Sequence, residues 1–144
     1  MCGIAAIYAY NYPALDVDRE ELRTIRDHMA ARGPDGKGEW FSGDGRVGLG
    51  HRRLAIIDLS GGVQPMSIDD GAYSVTFNGE IFHYIELQHE FETKHGRVFA
   101  TRSDTETLLH AYAVWGDDCV SRFNGQWAFA IWDKRRKRLF CSRD

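Results

Sequence analysis

The chain has 144 residues, 43% hydrophobic and 12% aromatic, which suits one globular domain able to bury most of its unfolded surface. A formal net charge of −3 gives no long-range attraction for nucleic acid or for an anionic membrane, so neither is an expected partner. No apolar run approaches the ~18 residues that a spanning helix needs and no secretory leader precedes the first predicted strand, which makes a cytoplasmic location the default expectation.

In chain order, residues 4–10 are predicted as a strand that starts almost at the N-terminus. Residues 16–31 have helical periodicity, with Leu22, Ile25 and Met29 on one face and Asp18 and Glu21 set as a capping box; Gly33-Pro34 stops them. EWF (39–41) and RVGLG (46–50) form a predicted hairpin around Gly43-Asp44-Gly45, and RRLAIID (52–58) a further strand. SGGVQP (60–65) is a loop. AYSVTF (72–77) alternates like a strand and runs into Asn78-Gly79, a turn signal. A helix is expected over 80–95, with Ile81, Ile85 and Phe91 inward and Gly96 as its stop, then a short strand over 98–101. Ser103 and Glu106 frame a second capping box, and Leu108, Ala111, Tyr112 and Trp115 make that helix's buried stripe. QWAFAIWD and RLFCSRD pair as a last hairpin, with the basic run KRRKR (134–138) as its solvated turn. Paired strands and single helices favour α+β with mostly antiparallel sheets over a doubly wound parallel sheet.

Several patterns mimic other chemistries. Gly43, Gly45 and Gly48 spell GxGxxG, yet a strand follows where a nucleotide-binding turn needs a helix. HEFETKH (89–95) puts His89 and His95 six apart, on different helix faces, unlike HExxH. Ser60-Gly61-Gly62 is followed by Val63-Gln64-Pro65, where a pyrophosphate loop would want an acid. Three scattered cysteines without a CxxC pair argue for neither zinc nor a disulfide framework. Cys119 and Cys141 have apolar neighbours and are expected to be buried thiols.

Cys2 differs. Loss of Met1 would leave a residue carrying both a thiol and an α-amine, whose pKa of ~7.7–8.0 lies far below the ~10.4 of lysine. Such an amine is partly neutral at physiological pH and can take the proton of its own side chain, so nucleophile and base come in one residue. An acyl-transfer nucleophile also needs donors for a tetrahedral oxyanion. The Asn78 side-chain amide and the Gly79 N–H are candidates, although Asn-Gly alone is also an ordinary turn. Arg53 offers a fork for a carboxylate, with Arg52 on the opposite strand face. Glu80 and Asp104 can accept from an ammonium group; Asp104 is equally a helix-start acid.

Together, MCGI (1–4), RGPDG (32–36), GHRRLAIIDLS (50–60), QPM (64–66), FNGEI (77–81), SDTE (103–106) and FNGQWAFAIWD (123–133) resemble, in order and spacing, the class II glutamine amidotransferase domain. The likeness is strongest to the N-terminal half of asparagine synthetases and runs over essentially the whole chain. It implies the N-terminal nucleophile hydrolase fold: an αββα sandwich of two antiparallel sheets between helical layers. It implies that Cys2 attacks the side-chain amide of L-glutamine, that Asn78 and Gly79 form the oxyanion hole, and that Arg53 binds the α-carboxylate. Glu80 and Asp104 would hold the amine and amide ends, Leu54 and Ile57 would line the pocket, and Arg32 and Asp35 would support it. The family pattern continues past an RD pair such as Arg143-Asp144, so the expectation is a domain over 1–144 that is incomplete at its C-terminus. No cofactor is expected in this domain. ATP and Mg2+ would belong to a synthetase domain or subunit that accepts the ammonia, and a homodimer is compatible. The alternatives are an amidohydrolase for another amide and an inactive or regulatory fragment.

Overall fold

The computed structural model describes residues 1–11, 15–55 and 61–144, whose strands form two antiparallel sheets. One sheet has β3 (Val47–Arg53) between β1 (Gly3–Tyr8) and β2 (Gly36–Phe41). The other runs β4 (Met66–Ile68), β5 (Tyr73–Ile81), β6 (Gly125–Asp133), β7 (Arg138–Arg143). Three α-helices accompany them: α1 (Arg19–His28), α2 (Tyr84–His95) and α3 (Asp104–Trp115), the last continuing into a 3-10 helix over Gly116–Arg122.

Strand alternation explains the layering. On β3, Val47 and Leu49 meet Ala130 and Trp132 of β6 between the sheets, with Tyr8 of β1 and Trp40 of β2 packed beside them. The intervening Gly48 and Gly50 face the other way, where Leu22 of α1 comes within 3.1 and 3.5 Å of the positions their Cβ atoms would take. On β5 and β6 the odd-numbered Val75, Phe77, Phe129 and Ile131 pack under Leu108, Leu109 and Tyr112 of α3 and Leu87 and Phe91 of α2. One helix thus covers the outer face of the first sheet and two that of the second, the expected αββα order. Among the described residues no helix is long and apolar enough to cross a membrane.

Several local expectations are corrected. Helix α1 is shorter than predicted and capped by Asp18, which accepts from the Glu20 and Glu21 N–H groups. Its buried stripe pairs Leu22 with Arg26, and Ile25 is 43% exposed, because the Arg26 stem lies across Gly50 while its guanidinium reaches Asp27 and Glu39. Helix α2 starts at Tyr84 and buries Leu87 and Phe91, not Ile85, since 80 and 81 still belong to β5. Residues 98–101 are not a strand: the carboxylate of Glu106 takes the N–H groups of Ala100 and Thr101, removing both from any ladder. Ser103 caps α3 by accepting from the Glu106 N–H, so only that half of the capping box closes. Strand β4 was not predicted; three residues are too few for alternation to show. Arg52 and Arg53 complete β3, and the rest of the strand expected over 52–58 lies partly in residues 56–60, outside the described set. Cys119 is buried as expected, whereas Cys141 is exposed on the outermost strand, β7.

The largest correction concerns Asn78-Gly79. These residues sit inside β5, paired with Ala128 and Trp127. A Cβ at Gly79 would lie 2.2 Å from the Gln126 carbonyl oxygen and 2.8 Å from the Trp127 Cα, so glycine here serves close strand approach, not a turn.

Candidate active site

The two sheets end together around a cavity of about 880 Å³. Its wall includes Cys2, Arg32, Arg53, Leu54, Asn78, Gly79, Glu80 and Asp104, eight of the ten residues singled out from the sequence. Parity delivers two of them. Arg53 follows Val47, Leu49 and His51 on the face of β3 that looks at the second sheet, and Arg52 turns toward Asp27 of α1, 4.0 Å away. Asn78 shares the even-numbered, inter-sheet face of β5 with Thr76, whose hydroxyl reaches His51.

Cys2 is half-buried just before β1. The Leu54 N–H donates to its Sγ at 3.3 Å, and Sγ lies 3.6 Å from the Leu54 carbonyl oxygen, so the backbone leaving β3 fixes the sulfur. The Cys2 carbonyl accepts from Arg32 Nε at 3.4 Å. Behind this, the RGPDG segment braces the 53–55 backbone. Gly33 is pressed so close that a Cβ would stand 2.3 Å from the Arg52 carbonyl and 2.6 Å from the Arg53 nitrogen. The Asp35 N–H donates to the Arg53 carbonyl, and the Asp35 carboxylate accepts from the Ala55 N–H, both at 2.9 Å. Asp35 therefore stands outside the cavity wall as a brace. Ile57 lies outside the described residues.

The β5 edge facing away from β6 carries the N–H groups of alternate residues. Val75 is opposite Met66 of β4, which begins there. The Phe77 N–H donates to Gln64 Oε1 at 2.7 Å, and the Ile81 N–H to Asp104 Oδ2 at 3.2 Å. Between these two satisfied positions the Gly79 N–H falls on the same edge, at the cavity wall. The Asn78 side chain lines the wall beside it.

Arg32, Arg53 and Arg143 supply positive charge to the cavity, and Glu80, Asp104 and Asp144 negative charge. Asp104 is only 5% exposed; burial, with the Glu80 charge adding, pushes its carboxyl up to about 6 against the Ile81 hydrogen bond. Such a group re-ionises when a cation arrives. The wall also contains residues for which sequence reasoning proposed no role: Gln64, Gln126, Trp127 and the Arg143-Asp144 pair. Trp127 is held by Asp144 in a two-bond clasp, N–H to Oδ1 at 3.0 Å and carbonyl to N–H at 3.1 Å. The second FNG (123–125) was the available signal, because its glycine opens β6 opposite Ile81, two residues along β5 from Gly79.

This geometry can be set beside known proteins. Glutamine-hydrolyzing asparagine synthetase 1 of Bacillus subtilis (strain 168) is 42% identical over 145 residues, a match covering 100% of this chain and 22% of that protein. Synthetase 3 of the same organism is 38% identical over 146 residues, covering 100% and 23%. Amidase chry2 of Gibberella zeae is 39% identical over 157 residues, covering 100% and 22%. This chain therefore spans under a quarter of the length of these three relatives. Among solved structures, glutamine phosphoribosylpyrophosphate amidotransferase from B. subtilis, complexed with ADP and GMP, superposes with a TM-score of 0.72. That match covers 98% of this chain and 37% of the other at 18% identity, a likeness of fold. The family model described as a glutamine amidotransferase domain matches residues 1–144, the same span over which two stacked sheets bring Cys2 and the β5 residues Asn78 and Gly79 to one cavity wall, and the chain belongs to that family.

Proposed function

We propose that this domain hydrolyses the side-chain amide of L-glutamine with Cys2 as nucleophile, releasing ammonia to a synthetase unit that amidates a carboxylate. The observation that carries the reading is the convergence of Cys2, Arg53, Asn78, Gly79, Glu80 and Asp104 on one cavity wall from strands of both sheets and the start of α3. Family membership and the names of the asparagine synthetase relatives support it.

In this mechanism Met1 is removed and the α-amine of Cys2 takes the thiol proton. Sulfur bonds to the amide carbon, and the Asn78 amide and the Gly79 N–H receive the developing oxyanion. The amine passes its proton to the leaving nitrogen as the carbon–nitrogen bond breaks, and ammonia departs. Water then cleaves the γ-glutamyl thioester, giving glutamate and restoring the thiol. Arg53 pairs with the substrate α-carboxylate, and Asp104 with Glu80 accepts from its ammonium. ATP and Mg2+ belong, in this reading, to the synthetase unit.

The test is ammonia release from L-glutamine by protein whose intact mass shows Met1 gone. Cys2→Ala is expected to abolish release; release at the parental rate from that variant removes Cys2 from the mechanism. Protein that keeps Met1 is expected to be nearly inactive, because its α-amine is on the wrong residue.

A further inference from the structure

We propose that Gln64, from the QPM run, is a positioning residue for the amide hydrolysis read above, acting as a polar strut that fixes the β5 edge on which the Gly79 N–H stands. The inference rests on that reading for its catalytic part and on hydrogen bonding for its mechanical part.

Gln64 is 7% exposed and touches three layers of the molecule. Its main chain is anchored on the first sheet: a Cβ on Gly38 of β2 would lie 2.0 Å from the Gln64 carbonyl oxygen, so only glycine lets the two backbones meet. Its side chain crosses to the second sheet, where Oε1 accepts from the Phe77 N–H at 2.7 Å, and reaches the start of α3, where Nε2 donates to Thr105 Oγ1 at 3.2 Å. Both ends of the carboxamide are used, which also fixes its orientation.

The location explains why such a strut is needed. Strand β4 pairs with β5 only from Tyr73 to Val75, so the next N–H on that edge, Phe77, has no strand partner. A buried, unpaired backbone donor is costly, and Gln64 supplies the missing acceptor. Two residues further the Gly79 N–H meets the cavity, and two further again Asp104 holds Ile81. The open position is therefore gripped on both sides, by Gln64 directly and by Asp104 beside the Thr105 that Gln64 also holds. A donor aimed at a developing charge must be preorganised to well under an ångström, and this grip is what the fold provides.

The decisive variant is Gln64→Met, which keeps length and loses both hydrogen bonds, measured on the full chain with Met1 removed. The kcat for ammonia release is expected to fall about tenfold or more while KM for glutamine changes less than about threefold. Alkylation of Cys2 by iodoacetamide, read by peptide mass, is expected to keep its parental rate, because that displacement develops no oxyanion. Independently of any activity, hydrogen exchange at the Phe77 amide is expected to accelerate about tenfold or more, with Ser74 and Val75 unchanged. Thr105→Val, which frees only the Nε2 end, serves as the milder variant and is expected to shift the same two readouts in the same direction. The proposal is overturned by a kcat within twofold of parent, by a parallel fall in Cys2 alkylation, or by unchanged exchange at Phe77. If the parent chain releases no ammonia, the glutamine reading fails and Phe77 exchange still decides the strut.

Discussion

The carboxyl of Asp104 opens α3, lies against the Ile81 N–H and is raised to about 6 by burial with Glu80 near. If it accepts from the substrate ammonium, only its ionised form does so well, and glutamine affinity improves as pH rises through about 6. Measured by calorimetry on the Cys2→Ala protein, affinity is expected to drop about tenfold or more below that value. Asp104→Asn is expected to bind weakly with a flat profile, and a parental profile in that variant refutes the assignment. At Asn78 the expected cost of Ala is roughly 10²–10³ in kcat, as for other oxyanion donors. Unchanged turnover would leave Asn78 a purely architectural strand residue. That these residues would gather at one site was legible from residue types, because a thiol, a guanidinium, an amide and two acids at motif spacing suggest a chemistry, and they do line one cavity. Gln64 was not, since a lone glutamine carries no charge and no reactivity; only the N–H it meets gives it meaning.

At the level of elements, the sequence was most informative where one signal acted alone. Asp18, Ser103 and Gly96 cap helices as read, because capping is decided within one turn of chain. It failed where a tertiary neighbour reused the signal. Asn78-Gly79 has turn chemistry, yet the nine-residue register of β5 with β6 runs straight through it. Ile25 and Ile85 are apolar at helical spacing, yet the helices are rotated to bury Arg26 and Leu87. Glycines are the other half of that lesson. Gly33 needs no left-handed backbone at the site, and its value is the missing methyl over the Arg52–Arg53 peptide. Gly33→Ala is expected to displace that peptide, with a loss of about 1–3 kcal/mol in denaturant unfolding and a raised KM. A variant of parental stability and KM would show that the RGPDG segment yields instead of β3.

For the whole molecule, the seam between the sheets is the sensitive feature. His51 is 1% exposed there; its Nδ1 is 3.2 Å from Thr76 Oγ1, and that hydroxyl donates to the Gly50 carbonyl, so Nδ1 carries the proton. Its Nε2 is buried with no hydrogen-bond partner among the described residues. Burial, with the Arg53 charge adding, lowers this imidazole from 6.5 to about 4. The unfolded chain therefore takes a proton at a pH where the folded one does not, and stability present above about 6.5 is lost as pH falls toward about 4, on the order of 3 kcal/mol. Asp104 acts oppositely, its raised pKa favouring the folded state in acid and losing that contribution as pH rises through about 6. The His51 contribution is thus read as the difference between parent and His51→Asn in unfolding at pH 7 and pH 5. A difference independent of pH would refute a neutral buried imidazole.

If Cys2 is the nucleophile proposed above, that seam also sets when the chemistry can begin. The sulfur and Arg53 belong to the half of the chain made first, and Asn78, Gly79 and Asp104 come later, on the opposite layer. A nascent or partly collapsed chain holding only β1 to β3 exposes a thiol with nothing to receive a negative oxygen. Catalytic competence would arrive in a single step with the closing of the sandwich, and an unfinished copy would leave the cell's free glutamine untouched.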